Sequence, residues 1–138
     1  MRLLALFLLI LTAAPAATAA QPQRAPDRVL RTETVTGRLA GWEMGDYLWA
    51  QIAVRGREQI GAQPGREPIG PFLQAHRGRP LTITIQTVST YIPEAGGVTE
   101  IQRITGARDG RVTAQTWWRG LSPVQRRVAR RRFEAAIQ

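Results

Sequence analysis

Two early stretches of the chain alternate apolar and polar positions. In ETVTGRLAGW (33–42), Val35, Gly37, Leu39 and Gly41 fall on one side, and Thr36, Arg38, Ala40 and Trp42 on the other. In YLWAQIAV (47–54), Leu48, Ala50, Ile52 and Val54 are in phase against Tyr47, Trp49, Gln51 and Ala53. A period of two is the signature of a strand with one buried face. The intervening EMGD (43–46) reads as a turn, so the pair predicts a β-hairpin. Setting Trp42 opposite Tyr47 places Leu39 opposite Ala50 and Val35 opposite Val54, which makes the leucine and valine side the core face. A shorter third strand follows in REQIGA (57–62), and prolines 64, 68 and 71 with glycines 65 and 70 then interrupt regular structure. PFLQAHRG (71–78) predicts a two-turn helix, with Pro71 at its first position and Gly78 just past its end.

The clearest strand is PLTITIQTV (80–88), where Leu81, Ile83 and Ile85 alternate with Thr82, Thr84 and Gln86. YIPEAGG (91–97) is a turn by its proline and paired glycines, and VTEIQRITGA (98–107) is the strand that returns from it. Its apolar phase shifts between Ile101 and Ile104, which predicts a bulge there. Leu39, Leu48, Ile52, Val54, Leu81, Ile83, Ile85 and Ile101 are the expected single buried cluster.

Three strands, a short helix and two more strands over residues 32–107 form an order that resembles the OB-fold, a five-stranded antiparallel barrel. The chain looks like one of the small exported OB-like proteins of bacteria, many of which carry no assigned activity. An SH3-like barrel or a small open antiparallel sheet would use the same elements. Residues 108–138 form a C-terminal extension. ARDGRVTAQTWW (107–118) contains an Asp109–Gly110 turn and room for a further strand. A basic amphipathic helix then begins with Ser122 as N-cap, Pro123 at the first position and Gln125 completing a capping box. Ala129, Phe133, Ala136 and Ile137 share one face of it, and Arg127, Arg130 and Arg131 are expected on the opposite face.

The N-terminus predicts the compartment. Arg2, the apolar run Leu3 to Leu11 and the small-residue site AATAAQ have the three parts of a signal peptide over residues 1–20. Nine apolar residues are far short of the ~20 that span a bilayer. The expectation is export, with the periplasm as destination and no transmembrane segment after cleavage. Residues 21–31, with two prolines and no periodicity, read as a flexible leader. The remaining 118 of 138 residues suffice for one domain with a modest core. With no cysteine, disulfides and thiolate metal sites are excluded. All 19 basic residues are arginine. Residues 21–118 hold 12 of them against nine acids, whereas residues 119–138 hold six against Glu134 alone. A nearly balanced body therefore carries a basic tail.

Candidate chemistry is sparse. Glu94 and Glu100 straddle the 91–97 turn, one in the loop and one in the strand, so their spacing does not make an acid–base pair. His76 is the sole histidine, and no spacing supplies it with a nucleophile and an orienting partner. Asp27, Asp46 and Asp109 stand singly, which gives no metal-ligand cluster, and no cofactor motif is present. The hairpin register instead puts Trp42, Tyr47 and Trp49 on one side with Arg38 and Arg55, a face suited to sugar rings, flat ligands or anionic polymers. Trp117, Trp118 and Phe133 of the C-terminal segment need burial, and their covering of this face is the favoured expectation over an open site. Arg127, Arg130 and Arg131 suit an anionic membrane surface or acidic envelope polymer, although a solvated or domain-packing helix is the favoured expectation, and nucleic acid is not an expected partner of an exported chain. The expectation is an exported, non-catalytic binding or envelope-associated accessory module. The alternatives are a small periplasmic enzyme using the aromatic face and a purely structural subunit of an envelope assembly.

Overall fold

The structure, a computed structural model, describes residues 26–138; the expected signal peptide and residues 21–25 of the expected leader lie outside the described residues. Strand β1 (Arg28–Met44) is followed by β2 (Leu48–Val54), β3 (Ile60–Ala62), helix α1 (Ile69–Ala75), β4 (Leu81–Ile92), a 3-10 turn (Pro93–Ala95) and β5 (Gly97–Asp109). The chain ends in β6 (Val112–Thr113), α2 (Ala114–Gly120) and α3 (Pro123–Ala136). The protein is mainly β, and the strands form one antiparallel sheet in the order β3-β2-β1-β4-β5-β6. Six strands stand where five were expected, and the sheet is not closed into a barrel. The sixth is only two residues long, because Thr113 caps α2 by accepting from the Thr116 N–H.

β1 organises the sheet. It is far longer than its alternating segment suggested and absorbs part of the expected leader, pairing Arg28 with Ser89. Its first half pairs with β4 and its second half with β2, and Gly37 is the handover, opposite both Leu81 and Val54. A Cβ on Gly37 would lie 2.7 Å from the Ile52 Cγ2, so the crossing point needs glycine for space. The register slips near Leu30 and near Ala40, and such bulges bend a long strand and increase its twist.

The hairpin exists, but its register differs from the expected one. Trp42 faces Ala50, Leu39 faces Ile52 and Gly37 faces Val54. The slip at Ala40 is the cause: strict alternation through β1 cannot be carried past it. The bulge expected between Ile101 and Ile104 is also elsewhere, opposite Thr84 and Ile85, where β5 skips Thr105. Ile101 and Ile104 instead point into two different clusters.

The main core gathers Leu39, Ile52, Leu81, Ile83, Ile85 and Ile104 with Ile69, Phe72 and Leu73 from α1. A smaller cluster holds Val88, Ile92 and Ile101. The single cluster expected from the sequence is thus two, and Leu48 and Val54 are only half-buried. α1 starts two residues before the expected Pro71 and ends at Ala75, and it sets Phe72, with no exposed surface, beneath Trp117 of α2 at 5.5 Å between ring centres. α3 forms as expected, with the reciprocal Ser122–Gln125 capping box in place. It lies across α1 at Gly70, where a Cβ would come 2.5 Å from the Phe133 ring.

Candidate binding surfaces

Trp42, Tyr47, Trp49, Arg38 and Arg55 do not form one face. Trp42 sits opposite Ala50, whose side chain is wholly buried, so the indole is on the core side. There its Nε1–H donates to Gln74 Oε1 at 2.8 Å, and Phe133 of α3 meets it edge-on at 5.0 Å. Trp49, one residue from Ala50, points the other way and packs on Val88, Ile92 and Ile101. Tyr47 lies in the β1–β2 turn, where its hydroxyl donates to Glu94 Oε2 at 3.0 Å. Arg38 donates to the Gly78 carbonyl at 2.7 Å, and Arg55 is exposed in the turn after β2. The bulge at Ala40 is the physical reason for the separation: it turns Trp42 inward while leaving Tyr47 and Trp49 outside.

Different arginines accompany the two outer aromatics. Trp49 borders an open cleft of about 360 Å³ with Arg31, Thr87, Glu100 and Gln102. Tyr47 borders another of about 340 Å³ with Gln63, Arg66 and Arg103. Local periodicity could not have found these partners, because a long-range seam brings them in. Gln63 donates its N–H to the Gln102 carbonyl and accepts from the Ile104 N–H, each at 2.8 Å, which draws the end of β3 against β5. Arg103 is shared with Asp27 at 3.4 Å.

The other isolated candidates have structural partners. The His76 ring lies on Phe72 at 4.1 Å between centres, and its Nδ1 is 2.8 Å from the Phe72 carbonyl, to which an Nδ1–H donates. Glu94 takes the Tyr47 hydroxyl, while Glu100 stands opposite Ser89. Among the described residues no group of three or more His, Asp or Glu side chains is placed to hold a metal ion, and no helix is long and apolar enough to cross a membrane.

The arginines of α3 divide into two sets. Arg126 and Arg130, one turn apart, face the body of the protein. Arg126 donates from Nε to the Trp118 carbonyl at 3.0 Å. Arg130 grips the Glu67 carboxylate with two bonds, at 3.0 and 2.7 Å, and its guanidinium stands 5.1 Å from the Trp118 ring centre. Arg130 therefore does not share the solvent face expected of it. The spacing held the signal: Arg130 is three residues before Phe133, so both lie on the same side of a helix. Arg127, Arg131 and Arg132 are exposed, and no ion pair engages them among the described residues.

The hydrogen bonds from Arg130 hold the Glu67 carboxyl below its ordinary pKa. A depressed carboxylate stabilises the fold above its unfolded pKa, and that contribution disappears as pH falls through the folded value. Because both partners are nearly half exposed, the effect is screened and small. Glu67→Gln is expected to lower the thermal midpoint slightly at neutral pH and to leave it unchanged in acid. Melting curves of both proteins from neutral to acid pH check this, and parallel curves with a constant gap would refute it.

No family model, curated protein or solved structure matches this chain.

Proposed function

We propose that the chain is an exported, non-catalytic binding module of the cell envelope, built on an OB-like curl of the sheet and presenting α3 to an anionic partner. Support for the OB-like reading comes from β1 serving both β2 and β4, from α1 between β3 and β4, and from the two Gln63 bonds that draw β3 toward β5. The periplasm is the proposed compartment, on the strength of residues 1–20. The observation that carries the binding reading is the division of the α3 arginines. Arg126 and Arg130 satisfy groups on the body, whereas Arg127 and Arg131 stand one turn apart on the solvent side without an acidic partner among the described residues. Guanidinium groups so placed suit the phosphates of a lipid surface or an acidic envelope polymer.

Arg127→Gln with Arg131→Gln is expected to weaken the affinity for phosphatidylglycerol vesicles, read by co-sedimentation, about thirtyfold at low salt, as loss of two surface cations of about 1 kcal/mol each would. Wild-type binding should weaken steeply between 0.1 and 1 M salt, as the Debye length falls from about 10 to about 3 Å. The double variant should melt as wild type does, since both side chains are exposed and no ion pair engages either among the described residues. Binding that ignores both salt and the double substitution would refute the proposal.

A further inference from the structure

Beside the outward arginines, α1, α2 and α3 enclose a long groove of about 710 Å³. Ala75, Trp117 and Leu121 line it, together with Val124, Val128 and Ala135 of α3. Val124 is 59% exposed and Val128 41%, so apolar surface is left uncovered inside a concavity. Along α3 the stripe runs from Val124 to Ala135, about 17 Å at the rise of an α-helix, and Leu121 extends it at one end. Arg132 stands at its rim with Gln74 and Gln125, and no acid lines it. Glu67 is already held by Arg130, and Glu134 of α3, although next to Ala135, does not line the groove.

The geometry points to an acidic amphipathic helix of a partner protein as the occupant of this groove. Length and shape favour a helix: about three turns of a partner would lay an i, i+3, i+4, i+7 stripe along Val124, Val128 and Ala135. Alanines at 75, 129 and 135 keep the walls low, which lets a helix backbone approach closely. Charge selects the sign of the partner. Arg132 at the rim would meet glutamates flanking the apolar stripe. A second copy of this chain is disfavoured by the same charges, since α3 against α3 would oppose one arginine set to another. A bilayer is disfavoured by form, because interfacial helices project Trp, Phe or Leu outward, whereas here the aromatic Trp117 lines a recess between helices. This inference rests on the reading of the protein as a binding module, but it uses Val124, Val128 and Arg132 rather than Arg127 and Arg131.

The test records methyl NMR signals of Val124 and Val128 in the intact protein. The probe is a synthetic peptide of about four turns, with leucine and alanine along one stripe and glutamate on both flanks. The expected result is saturable shifts of both valines, with affinity about tenfold weaker when lysine replaces glutamate, and similarly weaker for Val128→Gln or Arg132→Gln. Both variants alter exposed side chains, and an otherwise unchanged spectrum confirms that they fold. Valine signals unmoved by the glutamate peptide, or moved equally by the lysine peptide, overturn the inference. So does loss of phosphatidylglycerol co-sedimentation in Val128→Gln, which would assign the groove to lipid, and so do concentration-dependent shifts without peptide, which would assign it to a second copy. None of these failures alters the vesicle result for Arg127→Gln and Arg131→Gln, so the two readings fail separately.

Discussion

Phe72→Ala is expected to destabilise the protein by about 3–5 kcal/mol, the range for removing a buried phenylalanine. Phe72 has no exposed surface, and it is the largest of the fully buried side chains. It also holds together elements distant in the chain: its ring touches His76 at 4.1 Å and Trp117 at 5.5 Å, and its neighbours Ile69 and Leu73 share the main core with Ile83 of β4. The cavity cannot be refilled easily, because α1 is only seven residues long and is fixed at both ends by turns. Chemical denaturation measures the loss. Ile83→Ala, in the middle of β4, provides the comparison at about 2–5 kcal/mol. Its unaltered midpoint would contradict the central place of β4 in the core. The pair together should cost about 5–10 kcal/mol, enough to unfold a domain at the lower end of the usual range of about 5–15 kcal/mol.

The contrast between Ile83 and Trp42 explains how much was legible in the sequence. Around Ile83 the alternation is unbroken, nothing shifts the register of β4, and Leu81, Ile83 and Ile85 are buried together as their phase requires. The start of α3 was equally legible, because a capping box is a local arrangement of four residues. Trp42 lies beyond a bulge. One unpaired residue at Ala40 reverses every later side chain of β1, and alternation alone does not mark where the slip occurs. The expected aromatic face failed for that reason. Arg66 and Arg103 were missed for another: they border Tyr47 beside the Gln63 seam, a contact between residues some forty apart in the chain, while Arg31 reaches the Trp49 cleft from β1, where it pairs with Thr87 of β4. Arg130 belongs to a third class, since its shared side with Phe133 could be read from the spacing.

These differences change which surface can act. With Trp42 turned inward, the outer face of the hairpin has two aromatics in separate open clefts, and α3 becomes the part of the molecule with uncommitted charge and uncovered apolar surface together. The helix also has a structural duty. Phe133 closes over both Trp42 and Gly70, so the side of α3 that holds the fold is opposite the side carrying Arg127 and Arg131. A helix with such a division can present a binding surface without giving up its packing.

That duty predicts the consequence of ending the chain at Gly120. The truncated protein keeps α2, so Trp117 still covers Phe72 and the sheet retains its main core. It loses the Phe133 contact with Trp42, the close fit at Gly70 and the two bonds from Arg130 to Glu67. The surface pair contributes little. The loss of the aromatic contact, and of the apolar area that α3 covers, should cost about 3–5 kcal/mol. The protein should therefore fold but denature at a distinctly lower midpoint. The specific signature is at Trp42, whose indole N–H is bonded to Gln74 beneath Phe133. Its hydrogen exchange should accelerate in the truncated protein, and also in Phe133→Ala, while the Ile83 and Ile85 amides in the centre of β4 stay protected at moderate stability. An unchanged midpoint with unchanged Trp42 exchange would mean that α3 does not dock on α1 in solution. Faster exchange at β4 as well as at Trp42 would mean instead that α3 is required for the whole fold.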